Sequence, residues 1–294
     1  MTDSAQPSAP AQQGRSLKSS VTVGIVLGVV FLVSILIYKE LFILLAAVAA
    51  GAGAWELSTA LRAPKSNGEQ GWYVPRVPSV VGSVLIMPAT YFWGPRGQWL
   101  TALAITGALI LWRVVHILWE RREAPMQRVR HTMRDLAAAT FVVMYLPLMT
   151  SFTMLLLRRP EDGSWWVLTL VVTVALIDTS GYLVGRKLGR HQMAPGVSPK
   201  KSIEGLAASI VFGSLSAITF NATLLHGPWW LGLVIAATLL LTAVFGDLAE
   251  SLIKRDLGVK DMSSLLPGHG GIMDRLDSIL PSALAMYVIS AIFF

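Results

Sequence analysis

A polar segment between two apolar runs, residues 251–278, carries the densest set of chemically reactive side chains in this sequence. Charged residues make up only 14% of the chain, yet these 28 positions hold eight of them and one histidine. The nine are Lys254, Arg255, Asp256, Lys260, Asp261, His269, Asp274, Arg275 and Asp277. Ionisable groups at the edge of apolar segments commonly serve a polar substrate or an ion. The segment therefore predicts a site for a charged substrate at a membrane edge.

Within this segment, Gly270 and Gly271 permit close approach of the backbone to a ligand, and His269 precedes them on a predicted loop. Asp274 and Asp277 begin the last helix, where stabilisation of the helix dipole is the plainer explanation. A histidine flanked by glycines beside two such aspartates favours a functional site.

The preceding apolar run ends in a polar stripe. If this run is helical, Asp247, Glu250, Ser251 and Lys254 lie on one face, at positions i, i+3, i+4 and i+7. A structural ion pair between Glu250 and Lys254 accounts for part of the stripe. It leaves Asp247 unexplained, about two helical turns inside the run.

Two upstream segments add further candidates. Asp178 lies inside an apolar run and shares a helix face with a GxxxG step at residues 181–185, which favours close helix packing. Lys200 and Lys201 precede Ser202, which is placed to cap the next helix, and such an N-terminus attracts phosphate. The structural alternatives are a buried aspartate bonded to a hydroxyl and a capped helix with ordinary surface lysines.

If these segments converge, their carboxylates need a cation. Hard oxygen ligands without cysteine suit Mg²⁺, with a second cation as an open alternative. The candidate metal ligands are Asp178, Asp247, Glu250, Asp274 and Asp277. Surrounding basic groups suit phosphates, and Mg²⁺ with basic groups is typical of phosphoryl or nucleotidyl transfer.

The elements that must position these groups are membrane-spanning helices. Hydrophobic residues make up 54% of the chain and the mean hydropathy is +0.60. A spanning helix needs roughly 20 apolar residues, which predicts an all-α polytopic membrane protein with about nine spans. The predicted spans are 21–37, 41–61, 77–93, 99–119, 136–157, 164–184, 203–225, 229–253 and 279–294. Residues 1–20 are predicted to be a flexible cytoplasmic tail rather than a cleaved signal peptide, and residues 21–294 a single catalytic domain.

Charge is distributed unevenly between the predicted loops. One side holds 19 of the 24 Lys and Arg residues and the other holds four, with Arg113 inside a span. The positive-inside rule places the N-terminus and all the polar segments in the cytoplasm. The sequence pI near 9.9 then reflects topology and anionic lipid rather than nucleic acid. The absence of cysteine excludes disulfides, thiolate metal sites and thiol nucleophiles.

The residues of the polar segment resemble the signature of the phosphatidate cytidylyltransferases, also called CDP-diacylglycerol synthases. Every signature position in residues 251–277 is matched here. These positions are Ser251, Lys254-Arg255, Lys260-Asp261, Ser263, Pro267, His269-Gly270-Gly271 and Asp274-Arg275-Leu276-Asp277. The segment around Asp178 differs slightly, with DTSGY where the family pattern is closer to DTGAY. The resemblance covers the C-terminal half and assigns nothing to the first ~130 residues.

The resemblance implies a multi-span enzyme, placed in the inner membrane of a bacterium, with a site open to the cytoplasm. CTP and phosphatidic acid would give CDP-diacylglycerol and pyrophosphate with Mg²⁺, by direct in-line attack of a phosphatidate oxygen. Asp247 and Asp274 are expected as principal metal ligands, and His269 as a donor to a phosphate or to the leaving pyrophosphate. Expected substrate contacts are Lys200, Lys201, Ser251, Lys254, Arg255, Lys260, Gly270, Gly271 and Arg275.

Other interpretations remain at this point. A transporter would also place Asp178 and Asp247 inside spans, but would not need a histidine-glycine loop with lysines on one face only. A CDP-alcohol phosphotransferase or polyprenol kinase is the nearer rival, although the D-x-x-D-G-x-x-A-R run of the former is absent from the sequence. The GxxxG step or the tryptophan-rich spans would support a homodimer, with core packing as the alternative.

Overall fold

The fold is seen in a computed structural model, which describes residues 17–64, 70–119, 125–194, 198–263, 265 and 270–294. The helices are α1 (Leu17–Leu36), α2 (Lys39–Arg62), α3 (Arg76–Trp119), α4 (Pro125–Val143), α5 (Met149–Leu157), α6 (Gly163–Leu188), α7 (Ile203–Thr223), α8 (Trp229–Leu257), α9 (Met273–Leu276) and α10 (Ile279–Phe293). A π-helical turn, Met144–Leu148, joins α4 to α5, and strands β1 (Gln192–Ala194) and β2 (Ser198–Ser202) pair between α6 and α7. The prediction of a helical membrane protein is confirmed.

Seven helical stretches in the described part of the chain are long and apolar enough to cross a membrane. They are Lys39–Arg62, Arg76–Trp119, Val129–Leu157, Gly163–Leu188, Ile203–Thr223, Trp229–Leu257 and Met273–Phe293. The predicted span 21–37 lies in α1, outside these seven. That helix already begins at Leu17, inside the predicted tail, and residues 1–16 of the tail lie outside the described residues.

Helix α3 contains two of the predicted spans, because it is a hairpin of two arms. Gly94, at φ 65° and ψ −147°, breaks the helix in a backbone conformation that glycine tolerates and other residues avoid. The Ile105 side chain packs directly against Gly82, which a straight helix of this length would forbid. The predicted spans 77–93 and 99–119 are therefore antiparallel neighbours joined at Gly94.

The pairing of β1 with β2 departs from the purely helical prediction. The two strands are antiparallel, with Gln192 opposite Ser202 and Ala194 opposite Ser198. Pro199 disfavours helical geometry at Ser198, so this stretch is extended before α7 begins. The Ser202 hydroxyl then accepts a hydrogen bond of 3.1 Å from the Gly205 N–H, which confirms the predicted helix cap.

The GxxxG step packs within the chain. A Cβ at Gly185 would lie 3.6 Å from the Gly205 Cα, and one at Gly205 would lie 2.6 Å from the Gly181 carbonyl oxygen. The Ser209 hydroxyl also donates to the Ile177 carbonyl oxygen at 2.7 Å. Helices α6 and α7 thus meet at backbone distance, and this step serves core packing rather than a homodimer.

A buried ion pair, the Asp135 cluster of Asp135, Arg113 and Tyr73, ties α4 to α3. Arg113 Nη2 lies 2.8 Å from Asp135 Oδ2, and the two side chains are 9% and 5% exposed. The Tyr73 N–H donates to Asp135 Oδ1 at 3.0 Å, and the guanidinium lies over the Tyr73 ring. Arg134 and His131 also interact electrostatically with Asp135, so basic side chains meet the charge of this buried carboxylate.

Candidate active site

Helix α8 carries the predicted polar stripe. Glu250 is fully buried, and Lys254 Nζ donates to its Oε2 at 2.6 Å. The same ammonium donates to Asp274 Oδ1 at 2.9 Å. The Ser251 hydroxyl faces Asp247 Oδ1 at 3.4 Å. The predicted ion pair within the helix exists, and Lys254 extends it to a carboxylate twenty residues further along the chain.

We call the segment between α8 and α10, residues 258–278, the signature loop; it brings Asp274 to this lysine. The second carboxylate oxygen of Asp274 accepts hydrogen bonds from the Gly271 N–H at 2.7 Å and from the Met262 N–H at 3.1 Å. Gly270 has φ 81°, and a Cβ there would lie 2.9 Å from Asp274 Oδ2. The loop therefore needs glycine at Gly270 both for its backbone angle and for space beside the carboxylate.

Strand β2 places a second lysine, Lys201, beside the polar stripe of α8. Lys201 Nζ lies 2.7 Å from Asp247 Oδ2, and the side chains of the pair are 22% and 34% exposed. The cap at Ser202 fixes the direction of the strand at this point, so the short β-hairpin positions the lysine. The paired-lysine motif thus reaches the α8 stripe; the side chain of Lys200 lies outside the described residues.

The remaining predicted carboxylates complete what we call the carboxylate cluster, defined as Asp178, Asp247, Glu250, Asp274 and Asp277 with Lys201 and Lys254. Asp277 interacts electrostatically with Asp247 and Glu250, and Asp178 with Asp277, Asp247 and Lys201. The Ser278 side chain is hydrogen-bonded to Asp178, whose own side chain is open to the surface. The Asp277 carbonyl oxygen touches α8 at Gly246, where a side chain would collide with it. All five predicted carboxylates therefore converge.

The donor chemistry fits a hard cation. The acidic groups of the cluster offer oxygen ligands only, and the Glu250 carboxylate contacts both Lys254 and Asp277. Five carboxylates face two lysines in the described part of the cluster. Within those residues no three His, Asp or Glu side chains already stand in the arrangement of a metal site. Lys201 and Lys254 instead hold Asp247, Glu250 and Asp274.

The other predicted substrate contacts lie at the end of α8 and in the segment that follows it. Arg255, Lys260 and Arg275 are exposed along the edge that α8 and the signature loop form. Gly270 and Gly271 lie beside Asp274, where they shape the loop. His269, the predicted donor to a phosphate, lies outside the described residues, and so does Pro267.

Two residues near the site were missed by the sequence analysis. Glu56 of α2 is 3% exposed and binds the signature loop from the opposite side. An ionisable residue inside an apolar span was the signal, and it is the same signal that singled out Asp178. Tyr145 lies in the π-helical turn, interacts electrostatically with Glu250 and Asp277, and has a buried hydroxyl without a hydrogen-bond partner among the described residues. Such turns are frequent at functional sites, but nothing in the sequence marks this one.

Comparisons with known proteins identify the family to which the chain belongs. The chain matches the profile of the Cytidylyltransferase family over residues 18–293. It is 37% identical to a phosphatidate cytidylyltransferase of Mycobacterium bovis over 290 residues, covering 95% of this chain and 90% of the relative. Identity is also 37% to the Mycobacterium leprae protein of that name, covering 93% and 87%. It is 31% to that of Staphylococcus epidermidis, covering 70% and 75%. The chain belongs to the cytidylyltransferase family.

Proposed function

We propose that this protein is a phosphatidate cytidylyltransferase, which transfers CMP from CTP to phosphatidic acid and releases pyrophosphate. The observation that carries the proposal is the Lys254 bridge between Glu250 and Asp274, which draws α8 and the signature loop into one charged site. This site forms where spanning helices end, so it suits a lipid phosphate at the bilayer surface and a nucleotide from water. The names of the similar proteins support the same substrate pair.

The proposed reaction is a direct in-line displacement. A phosphatidate oxygen forms a bond to the α-phosphorus of CTP while the bond from that phosphorus to the bridging oxygen of pyrophosphate breaks. The attacking oxygen is already anionic, so no general base is required. The protein has to hold two mutually repelling phosphates in line and to neutralise the developing charge.

The residues of the cluster divide this work in the proposal. Asp247 and Asp274 would hold Mg²⁺, with Glu250, Asp277 and Asp178 beside them; Mg²⁺ supplies charge neutralisation for the phosphates when bound. Lys254 uses two of its three ammonium donors on carboxylates, which leaves one for a phosphate oxygen. Further phosphate contacts are assigned to Lys200, Lys201, Ser251, Arg255, Lys260, His269, Gly270, Gly271 and Arg275.

The direct test is a substrate panel. Purified protein is incubated with phosphatidic acid and each of the four common ribonucleoside triphosphates, with and without Mg²⁺, and the lipid-linked nucleotide is measured. We expect product with CTP and Mg²⁺ only. Equal product from all four nucleotides, or transfer of a single phosphate to the lipid, would contradict the proposal.

We also propose nine spans with a cytoplasmic N-terminus, in the inner membrane of a bacterium, with the site facing the cytoplasm. The uneven distribution of Lys and Arg and the hairpin at Gly94 support this topology. The chain has no cysteine, so single cysteines are clean reporters. Both Asp261 and Glu161 are exposed. A cysteine at position 261 should be labelled only from the cytoplasm, and a cysteine at position 161 only from outside. Reversed labelling would place the site on the outer face of the membrane, away from cytoplasmic CTP, and would contradict the proposed topology.

A homodimer remains part of the proposal without support from the GxxxG step. That step is used between α6 and α7 of one chain. Seven exposed tryptophans, Trp93 and Trp119 among them, offer apolar surface for self-association, and lipid contact explains their exposure equally well.

A further inference from the structure

Helix α2 contacts the signature loop through Glu56, although the family resemblance assigns no role to this part of the chain. Glu56 lies in α2, seventeen residues after the helix begins at Lys39, and is 3% exposed. An ionisable side chain in an apolar helix is costly unless it is fully hydrogen-bonded. The contacts of Glu56 therefore show what this carboxylate is for.

Three donors converge on Glu56, and all three belong to the signature loop. The Ser263 hydroxyl donates to Oε1 at 2.5 Å, and the Ile272 N–H donates to the same oxygen at 3.0 Å. The Met273 N–H donates to Oε2 at 2.9 Å. Both oxygens are used, and hydrogen bonds to a buried carboxylate are among the stronger ones in proteins.

Close packing adds to these hydrogen bonds. A Cβ at Gly271 would lie 2.6 Å from Glu56 Oε2, so the loop backbone reaches the carboxylate only because residue 271 has no side chain. Met273 is immediately followed by Asp274, whose own carboxylate accepts the Gly271 N–H and the Lys254 ammonium. The backbone of residues 271–273 is therefore held between the carboxylates of Glu56 and Asp274.

We infer that Glu56 is a positioning residue of the active site, which fixes the signature loop so that Asp274 faces Lys254 and the rest of the carboxylate cluster. This inference rests on the proposed function. None of the hydrogen bonds of Glu56 goes to Asp274, Asp247 or Lys254, so it acts through the loop, by way of two backbone N–H groups and the Ser263 hydroxyl. Helix α2 thereby has a part in the reaction.

The variant Glu56→Gln tests the charge and acceptor pattern at nearly constant shape. A carboxamide has only one acceptor oxygen, so in either orientation its NH₂ group faces a loop N–H or the Ser263 hydroxyl. We expect roughly a ten- to hundred-fold loss of kcat/KM, with a raised KM for CTP as well as a lowered kcat. Amide hydrogen exchange of residues 270–276 in the substrate-free protein should be faster than in the wild type.

The matched control is Asp135→Asn. Asp135 is also a buried carboxylate that accepts a backbone N–H, but it lies in the Asp135 cluster, away from the loop. The Asp135→Asn variant should have a lower unfolding temperature, while its KM for CTP and its amide hydrogen exchange at residues 270–276 should be unchanged. An Asp135→Asn variant that raised KM like Glu56→Gln would show a general effect of destabilisation, and would overturn the inference.

A double-mutant cycle with Gly271→Ala separates the remaining outcomes. The added methyl group should push the loop away from Glu56, so the two changes should be strongly non-additive. Additive losses, or a Glu56→Gln variant with wild-type kinetics, would overturn the positioning role while the wild type still makes CDP-diacylglycerol. A wild type that makes none would instead overturn the proposed function.

Discussion

The Asp135 cluster and the carboxylate cluster are built from the same kinds of group, but their charges balance differently. In the first, one buried carboxylate pairs with Arg113, accepts one backbone N–H, and has Arg134 and His131 nearby. In the second, five carboxylates share two lysines among the described residues, and Asp277 interacts with two further carboxylates, Asp247 and Glu250. A buried carboxylate whose charge is met by basic side chains is explained by structure alone. Neighbouring carboxylates in excess of their basic partners are unfavourable as anions unless they take up a proton or bind a cation, and such clusters are typical of functional sites.

The largest loss of activity is expected from a substitution in the carboxylate cluster. Asp247→Asn keeps the shape of the side chain but removes one of the two proposed principal metal ligands, and we expect turnover to fall by more than roughly a hundred-fold. Its contacts are with Lys201 and Ser251 at the partly exposed edge, so folding should be unaffected. CDP-diacylglycerol synthesis and the thermal unfolding temperature measure the two effects. Near-normal turnover at ordinary Mg²⁺ would remove Asp247 from the site.

A paired substitution compares the cations of the two clusters. Lys254→Met leaves Glu250 buried without its partner, and Arg113→Met does the same to Asp135. Removing one member of a buried pair costs about 3–5 kcal/mol, so both variants should lose stability to a similar extent. Activity per folded molecule, measured after removal of aggregated protein, should fall only in Lys254→Met. A similar loss in Arg113→Met would mean that the Asp135 cluster also serves the reaction.

The basic residues at the rim should have a smaller effect than the acidic ones. Arg275→Ala or Lys260→Ala removes a proposed phosphate contact worth about 1.5–3 kcal/mol, or roughly ten- to a hundred-fold in kcat/KM. Steady-state kinetics over a range of Mg²⁺ concentrations provide the measurement. Higher Mg²⁺ should partly rescue Asp277→Asn and should leave Arg275→Ala unchanged. Rescue of Arg275→Ala by Mg²⁺ would instead assign the arginine to orienting Asp274 or Asp277.

The smallest effect concerns the packing that supports Lys201. A methyl group added by Gly185→Ala would lie 3.0 Å from the Ser202 hydroxyl, so α7 or the end of β2 must shift slightly. Overpacking of this kind costs about 1–3 kcal/mol, and the KM for substrate should rise only modestly. Gly107→Ala, where nothing lies within 4 Å, is the control and should be neutral or slightly stabilising. Equal unfolding temperatures for both variants would contradict the packing role.

The features of the fold and the site that could be predicted from the sequence are those that depend on short-range patterns. The i, i+3, i+4, i+7 spacing from Asp247 to Lys254 depends on helix geometry alone, and the cap at Ser202 depends on three neighbouring residues, so both were predictable. The role of Glu56 was not, because its partners lie more than two hundred residues away and no short-range pattern indicates which loop it meets. Likewise, the sequence shows that Lys254 is near Glu250, but only the fold shows that it also binds Asp274.

Helix α8 contacts the backbone at Asp277 directly, through Gly246. Because Gly246 has no side chain, the Asp277 carbonyl oxygen rests directly on the helix, and the two walls that carry Asp247 and Asp277 stand at a separation set by backbone atoms. Closely packed protein interiors have low compressibility, so this contact should hold the two segments at a fixed separation. Asp247 and Asp277 should therefore keep the same spacing with and without bound substrate, and the substrates have to fit a site whose width the backbone sets.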